Sequence, residues 1–272
     1  MADQYAVIGN PVAHSKSPLI HAAFARQTGQ DLVYTRLLAP KDAFVATANA
    51  FRERGGRGLN VTLPFKGEAF RYAAVLSAGA RAAQAVNTLK FDGNTVFGDN
   101  TDGAGLVNDL LHNLGFALAG QRVLLLGSGG AARGVIEPLL QQRPAQFVLA
   151  NRTPDKARQL AEDFRGAIEA RSYDALADGQ FDLVINATSA SLAGELPPLP
   201  PGVFAHGALA YDMMYGRNET PFLAFARGQG AGQLADGLGM LVEQAAVSFF
   251  IWRGIRPDSA PVLQLLRQPQ DA

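Results

Sequence analysis

A two-domain α/β architecture with mostly parallel sheets is what this sequence predicts, and three observations carry it. Short apolar runs alternate with helical stretches along nearly the whole chain, the pattern of strands covered by helices. A glycine-rich turn, Gly127-Ser-Gly-Gly-Ala-Ala132, follows the apolar run Arg122-Val-Leu-Leu-Leu126 and opens an amphipathic stretch. The length of 272 residues exceeds the usual ~100 to 200 per domain, so one large domain or two smaller ones is the starting expectation.

In the first half, Tyr5 to Gly9 reads as a buried strand stopped by Gly9-Asn10-Pro11, and a helix is expected from about Pro18 to Thr28. Leu32 to Leu38 reads as a strand and Lys41 to Arg54 as a helix. Gly58 to Leu63 has period two, placing Leu59, Val61 and Leu63 on one face and Asn60 with Thr62 on the other. A helix near Lys66 to Leu76, a hairpin turning at Asp92-Gly93-Asn94 and a helix from about Asp102 to Leu114 follow. In the second half Arg122 to Gly127, the helical stretch to Gln142 and Gln146 to Ala150 form a βαβ unit of roughly the ~30 residues expected of a dinucleotide-binding motif. Further strands are expected at Phe181 to Asn186, Ala208 to Asp212 and Gly232 to Ala235, before a long helix from Leu238 to Trp252 and one more short helix.

Composition excludes several classes. Lys and Arg number 24 and balance 24 Asp and Glu, which argues against a protein that neutralises many nucleic-acid phosphates. With 48% hydrophobic and 18% charged residues the chain has the composition of a folded domain rather than a disordered one. It contains no cysteine, so disulfides, thiolate nucleophiles and Cys-based zinc sites are out, and His14, His21, His112 and His206 show no ligand spacing; no metal is expected. The N-terminus lacks the basic and apolar regions of a signal peptide, and no apolar run reaches the ~18 residues of a membrane span, so a cytoplasmic protein without membrane or nucleic-acid partners is expected. Neither a G-x-S-x-G elbow nor a P-loop is present.

The glycine turn fits G-x-G-x-x-A: the first glycine makes the turn, the second lets backbone approach a pyrophosphate, and the third position needs a small residue. Dinucleotides without a 2′-phosphate are usually held by an acidic residue ~20 positions on. Asn151-Arg-Thr153 stands there instead, so Arg152, Thr153 and Lys156 are expected to favour NADP over NAD. The alternative is that Thr153 only caps a helix whose first residue is Pro154, with Arg152 and Lys156 solvated.

A second set of polar residues clusters at strand-to-helix junctions: Ser15 and Ser17 in His14-Ser-Lys-Ser-Pro18, Asn60 and Thr62 before Lys66, Asn87 in Ala85-Val-Asn-Thr88, and Asp102 in Gly98-Asp-Asn-Thr-Asp-Gly103. Each has a plain structural explanation, as helix cap, solvent face of an edge strand or first-turn carboxylate. Together they suit a small polyhydroxylated acid, and a Lys with an Asp makes a proton-transfer pair. Gln244, one turn from Met240 and from Ser248, interrupts an apolar helix face.

Taken in order, Gly9-Asn-Pro-Val-Ala-His-Ser-Lys-Ser-Pro18, Asn60-Val-Thr-Leu-Pro-Phe-Lys66, Ala85-Val-Asn-Thr88, Gly98 to Gly103, Gly127 to Ala131, Asn151-Arg-Thr153, Asn186-Ala-Thr-Ser189 and Asp236 to Gln244 resemble the shikimate dehydrogenase family, from residue 5 to about 258. The resemblance implies reversible reduction of 3-dehydroshikimate to shikimate with NADPH. It implies that Ser15, Ser17, Asn60, Thr62, Lys66, Asn87, Asp102, Tyr215 and Gln244 hold the substrate, with Lys66 as general acid/base paired with Asp102. Gly127, Ser128, Gly129, Gly130 and Ala131 would bind pyrophosphate, Asn151, Arg152, Thr153 and Lys156 the adenosine phosphate, and Met213 with Gly237 would lie beside the nicotinamide. A discontinuous substrate domain of residues 1–101 and 238–272 and a Rossmann-type NADP domain of residues 102–237 are expected, as a monomer or homodimer. The rivals are a quinate/shikimate dehydrogenase using NAD, against which Arg152 speaks, and a non-catalytic NADP-responsive regulator, which would be expected to lack the Lys66 and Asp102 pair that is present. Two departures from the family pattern, Ala190-Ser191 after Asn186-Ala-Thr-Ser189 and Arg217 after Tyr215-Gly216, bear on cofactor affinity and closure.

Overall fold

A computed structural model of the chain describes residues 2–177, 179–216 and 218–268; the departure at Arg217 lies outside the described residues. The elements in chain order are β1 (Asp3–Gly9), α1 (Ser17–Thr28), β2 (Leu32–Leu38), α2 (Phe44–Glu53), β3 (Gly56–Val61), α3 (Lys66–Tyr72), β4 (Val75–Leu76), α4 (Ala78–Ala83), β5 (Thr88–Asp92), β6 (Thr95–Asp99) and α5 (Asp102–Asn108). There follow β7 (Arg122–Leu126), α6 (Gly130–Gln141), β8 (Gln146–Ala150), α7 (Pro154–Glu162), β9 (Glu169–Arg171), β10 (Phe181–Asn186), β11 (Phe204–Asp212), α8 (Pro221–Gly228), β12 (Gln233–Asp236), α9 (Leu238–Arg253) and α10 (Ala260–Arg267). The chain divides into two compact units, Met1–Gly105 with Leu241–Ala272, and Leu106–Met240. These boundaries fall a few residues inside α5 and α9 rather than at 101 and 237. Asp102 therefore belongs with the first unit, because the chain leaves and re-enters that unit through helices that carry no loop signal in the sequence.

The first unit holds a six-stranded sheet in the order β2-β1-β3-β5-β6-β4. Its pairs are parallel except that β5 runs antiparallel to β3 and to β6. Alternation along β1 sends Ala6 and Ile8 to one apolar layer with Leu59, Val61 and Leu89, and Tyr5 and Val7 to the other with Tyr34 and Trp252. The period-two reading of β3 holds for Leu59 and Val61 but not for Leu63, which is 70% exposed, since the strand stops at Val61. Nor is Asn60 on the solvent face of an edge strand: β3 is hydrogen-bonded on both sides and Asn60 is buried. The helix expected to run to Leu76 ends at Tyr72, and β4, α4 and β9 are short elements without a clear sequence period.

The second unit holds a six-stranded sheet, all parallel, in the order β12-β11-β10-β7-β8-β9. Numbered within the unit this is 3-2-1-4-5-6 read from β9, the doubly wound order whose direction reverses between β7 and β10. Both faces are covered: Val123, Leu125, Leu183 and Ile185 enter one core, and Leu124, Leu126 and Val184 the other. Burial on both sides is why these strands read as continuous apolar runs instead of alternating ones.

Candidate active site

In the first unit Pro64 follows the end of β3, and Lys66 is the first residue of α3. Asp102 is the first residue of α5, where its backbone N–H donates to the Asn100 side-chain oxygen. These two helix starts bring Lys66 Nζ to 2.6 Å from Asp102 Oδ2, with side chains 30% and 15% exposed. A pair so shielded is screened less than a surface ion pair, yet it stays open to a ligand on one side.

The other carboxylate oxygen of Asp102 accepts from Asn87 Nδ2 at 2.8 Å. Asn87 is oriented without ambiguity, because its Oδ1 accepts the Thr101 backbone N–H at 2.9 Å, a group that can only donate. Gln244 on α9 joins the cluster: its Oε1 accepts from Thr101 Oγ1 at 3.3 Å and lies 3.4 Å from Asn87 Nδ2, while its Nε2 donates to the Leu241 carbonyl at 2.8 Å. The interrupted apolar face of α9 thus carries an amide paired both to its own helix and to the Asn87–Thr101 cluster.

Ser15 accepts the Ser17 backbone N–H at 3.2 Å and donates to the Ser17 hydroxyl at 3.1 Å, so neither serine is the N-cap of α1, a position taken by Lys16. Arg36 holds the Ser15 carbonyl at 2.6 Å. Thr62 is half-buried just past β3, and Gly9 lies so close to it that a side chain on Gly9 would collide with its methyl group. Asn60 differs from the rest. Its Oδ1 accepts from Tyr34 at 2.7 Å and faces His21 Nε2 at 3.1 Å, and its Nδ2 faces Ser248 Oγ, Thr88 Oγ1 and the Asn87 carbonyl at 3.0, 3.1 and 3.3 Å. Its amide is fully used within the protein.

In the second unit Gly127 ends the β7 turn at φ +101°, a backbone setting that favours glycine. Gly129 and Gly130 have no such need: neither has positive φ, and a side chain on either would meet nothing within 4 Å. Glycine at these two positions serves no packing purpose, and it leaves bare backbone at the N-terminus of the twelve-residue α6, a fit for a pyrophosphate. Ala132, the third small position, is fully buried. At the end of β8, Asn151 Nδ2 donates to the Thr153 carbonyl at 3.0 Å. Thr153 stands at the N-cap position of α7 but its hydroxyl makes no cap bond, and Arg152 and Lys156 are exposed and enter no ion pair among the described residues. Of the two readings for Thr153, the position of a cap is met and the chemistry of a cap is not.

At the carboxyl ends of β10 and β11, buried Asp212 accepts from Ser191 Oγ at 2.6 Å, Thr220 Oγ1 at 2.6 Å and the Met214 N–H at 3.0 Å. Ser191, part of a departure from the family pattern, therefore donates its hydroxyl to Asp212. Met213 is packed against Gly237, where any side chain would collide with the Met213 carbonyl. Tyr215 follows on the same segment, and burial raises its phenol pKa, with the Asp236 charge adding to the effect.

Comparison with known proteins then places the chain. Residues 7–89 match the shikimate dehydrogenase substrate binding domain, residues 109–193 the shikimate / quinate 5-dehydrogenase family, and residues 237–267 the shikimate 5′-dehydrogenase C-terminal domain. The NADP(+) shikimate dehydrogenase of Nitrosospira multiformis is 63% identical over 98% of each chain. The chain belongs to the shikimate dehydrogenase family. Among solved structures, an Ael1 enzyme from Pseudomonas putida is 48% identical with a TM-score of 0.95, over 99% of this chain and all of its own. The shikimate 5-dehydrogenase of Thermus thermophilus in complex with NADP(H) and shikimate is 33% identical with a TM-score of 0.88, over 97% of this chain and 98% of its own.

Within this shikimate dehydrogenase fold, Ser15, Ser17, Asn60, Thr62, Lys66, Asn87, Asp102 and Gln244 all fall in the first unit, and Tyr215 falls with the glycine turn in the second. Three buried partners of the site lie outside the polar clusters singled out in the sequence: His21, Tyr34 and Ser248. The one available signal was Ser248, a full helical turn from Gln244 on the same face.

Proposed function

We infer that this chain is an NADP-dependent oxidoreductase that interconverts 3-dehydroshikimate and shikimate. The observation that carries the reading is the Lys66–Asp102 pair at 2.6 Å, backed by Asn87 and Gln244, in a chain about 60% identical to NADP(+) shikimate dehydrogenases. In our reading the first unit holds the substrate. Ser15, Ser17, Thr62, Asn87 and Gln244 offer it hydroxyls and amides, and Tyr215 is a further substrate residue by its place in the family motif. Lys66 gives a proton to the oxygen of the ring ketone during reduction and takes it back during oxidation, while Asp102 keeps the ammonium aimed. Asn60 is retained in the site as a group that shapes it, since its amide has no free capacity.

The second unit holds NADP, with Gly127, Ser128, Gly129, Gly130 and Ala131 around the pyrophosphate and Asn151, Arg152, Thr153 and Lys156 at the 2′-phosphate. Met213 and Gly237 lie at the nicotinamide position of the family motif. When bound, the dinucleotide supplies the hydride; the protein supplies orientation and the proton. The test is a matrix of initial rates with shikimate or quinate against NADP or NAD. Turnover confined to shikimate with NADP is expected, and equal rates with NAD would overturn the cofactor assignment.

A further inference from the structure

Asn60 and Ser248 stand 188 residues apart in sequence and meet in a buried polar knot directly behind the Lys66–Asp102 pair. Ser248 is fully buried and its hydroxyl touches four groups: Thr88 Oγ1 at 2.7 Å, Asn60 Nδ2 at 3.0 Å, the Gln244 carbonyl at 3.0 Å and Thr101 Oγ1 at 3.2 Å. Thr88 donates to Asn87 Oδ1 at 3.0 Å, and Thr101 Oγ1 accepts from Asn87 Nδ2 at 3.0 Å. Asn87 in turn donates to Asp102, and Asp102 holds Lys66. An unbroken path of hydrogen bonds therefore runs from α9 through two threonine hydroxyls and one amide to the ammonium.

The orientations along this path are fixed by groups that can act only one way. Asn60 Nδ2 must face the Asn87 carbonyl, which only accepts, so its Oδ1 faces Tyr34 and His21. Asn87 is fixed likewise by the Thr101 N–H. The three hydroxyls of Thr88, Thr101 and Ser248 carry one proton each and share more acceptors than they can serve, so removing one hydroxyl changes what the other two donate to. Helix α9 does not depend on Ser248 for its place, because one turn further on Trp252 Nε1 donates to the Leu89 carbonyl at 2.9 Å and the indole stacks on Tyr5 at 4.7 Å. Loss of the Ser248 hydroxyl would act on the polar knot and leave the helix seated.

We propose that Ser248, acting with Thr88 and Asn60, is a positioning residue for the reaction: through the threonine hydroxyls it holds in place the Asn87 amide, whose sense the Thr101 N–H fixes, and so aims Asp102 and Lys66 at the substrate. The proposal rests on the reading of Lys66 and Asp102 as the proton-transfer pair. The test compares Ser248→Ala, the near-isosteric Thr88→Val and the hydroxyl-retaining Thr88→Ser with the parent enzyme, measuring kcat, KM for shikimate, KM for NADP and the pH profile of kcat. Ser248→Ala and Thr88→Val are expected to lower kcat/KM for shikimate about tenfold, the scale of one buried polar group losing its partner, and to displace the pH profile, with KM for NADP unchanged. Thr88→Ser is expected to behave as the parent. Folded Ser248→Ala or Thr88→Val with parental shikimate kinetics and an unmoved pH profile would overturn the proposal; if Ser248→Ala does not fold, Thr88→Val against Thr88→Ser decides alone. Lys66→Ala separates the two levels. A parental Ser248→Ala beside an inactive Lys66→Ala defeats only the positioning role, whereas an active Lys66→Ala removes the reading on which it rests.

Discussion

At the scale of single residues the proposed chemistry rests on Lys66. Lys66→Ala is expected to reduce kcat by a factor of ~10² to 10⁴, the usual contribution of a positioned general acid, while NADP binding followed by fluorescence stays at the parental level. At the opposite end of the chemistry, Arg152 lies at the surface with no ion-pair partner among the described residues, so its charge is available to a phosphate. Arg152→Asp is expected to weaken NADP by about tenfold or more and to improve NAD, as a carboxylate in that place repels the 2′-phosphate and pairs with a ribose hydroxyl; unchanged preference in steady-state rates would remove Arg152 from the cofactor site. His21 makes a prediction about pH. Its Nε2 must donate to Asn60, its Nδ1 is buried with no hydrogen-bond partner among the described residues, and burial holds its pKa at about 3 against an ordinary 6.5, with the Asn60 bond opposing the shift. Below pH 6.5 the unfolded chain takes a proton here that the folded chain refuses, so stability from this site is present above pH 6.5 and is lost as pH falls toward 3, by about 1.4 kcal/mol per pH unit. Urea titrations at pH 8 and pH 5 should show the parent losing more stability than His21→Phe.

Close helix contacts decide matters at the scale of elements. A side chain on Gly105 of α5 would meet the Cβ, N and Cα of Gln244 on α9 within 3 Å. The helix that starts with Asp102 and the helix that presents Gln244 therefore approach at backbone distance. Gly105→Val is expected to force them apart, costing about 1–3 kcal/mol of stability and raising KM for shikimate several-fold, as read by thermal unfolding and initial rates. The glycine turn behaves in the opposite way: Gly129 has open space around it, so the fold tolerates a side chain that a pyrophosphate would not. These elements were legible to different degrees. β7, α6 and β8 announced themselves because a strand buried on both faces is continuously apolar and the turn between is glycine. The end of β3 did not, since Leu63 continues the alternation and only the structure shows the strand stopping at Val61 with Leu63 in solvent.

The molecule as a whole is two compact units, one of them assembled from both ends of the chain. Its single tryptophan, Trp252, lies in the first unit, packed against Tyr5 and the Leu89 carbonyl. Tryptophan fluorescence therefore reports that unit, and shikimate at ~100 times its Kd is expected to stabilise the fluorescence transition by about 2.7 kcal/mol. A shift produced by NADP alone and not by shikimate would contradict the assignment of substrate to the first unit.

The alternation of strands and helices, the glycine turn, the family and the candidate site residues could all be read from the amino-acid sequence, because periodicity, glycine placement and short motifs are local properties of the chain. What only the tertiary structure decided is which of those residues are free to bind. Asn60 looks like a ligand in its motif, yet it is consumed by Tyr34, His21, Thr88 and Ser248, whose sequence distances from it run from 26 to 188 residues. Hydrogen-bond saturation depends on partners brought together by folding, and no local pattern records it.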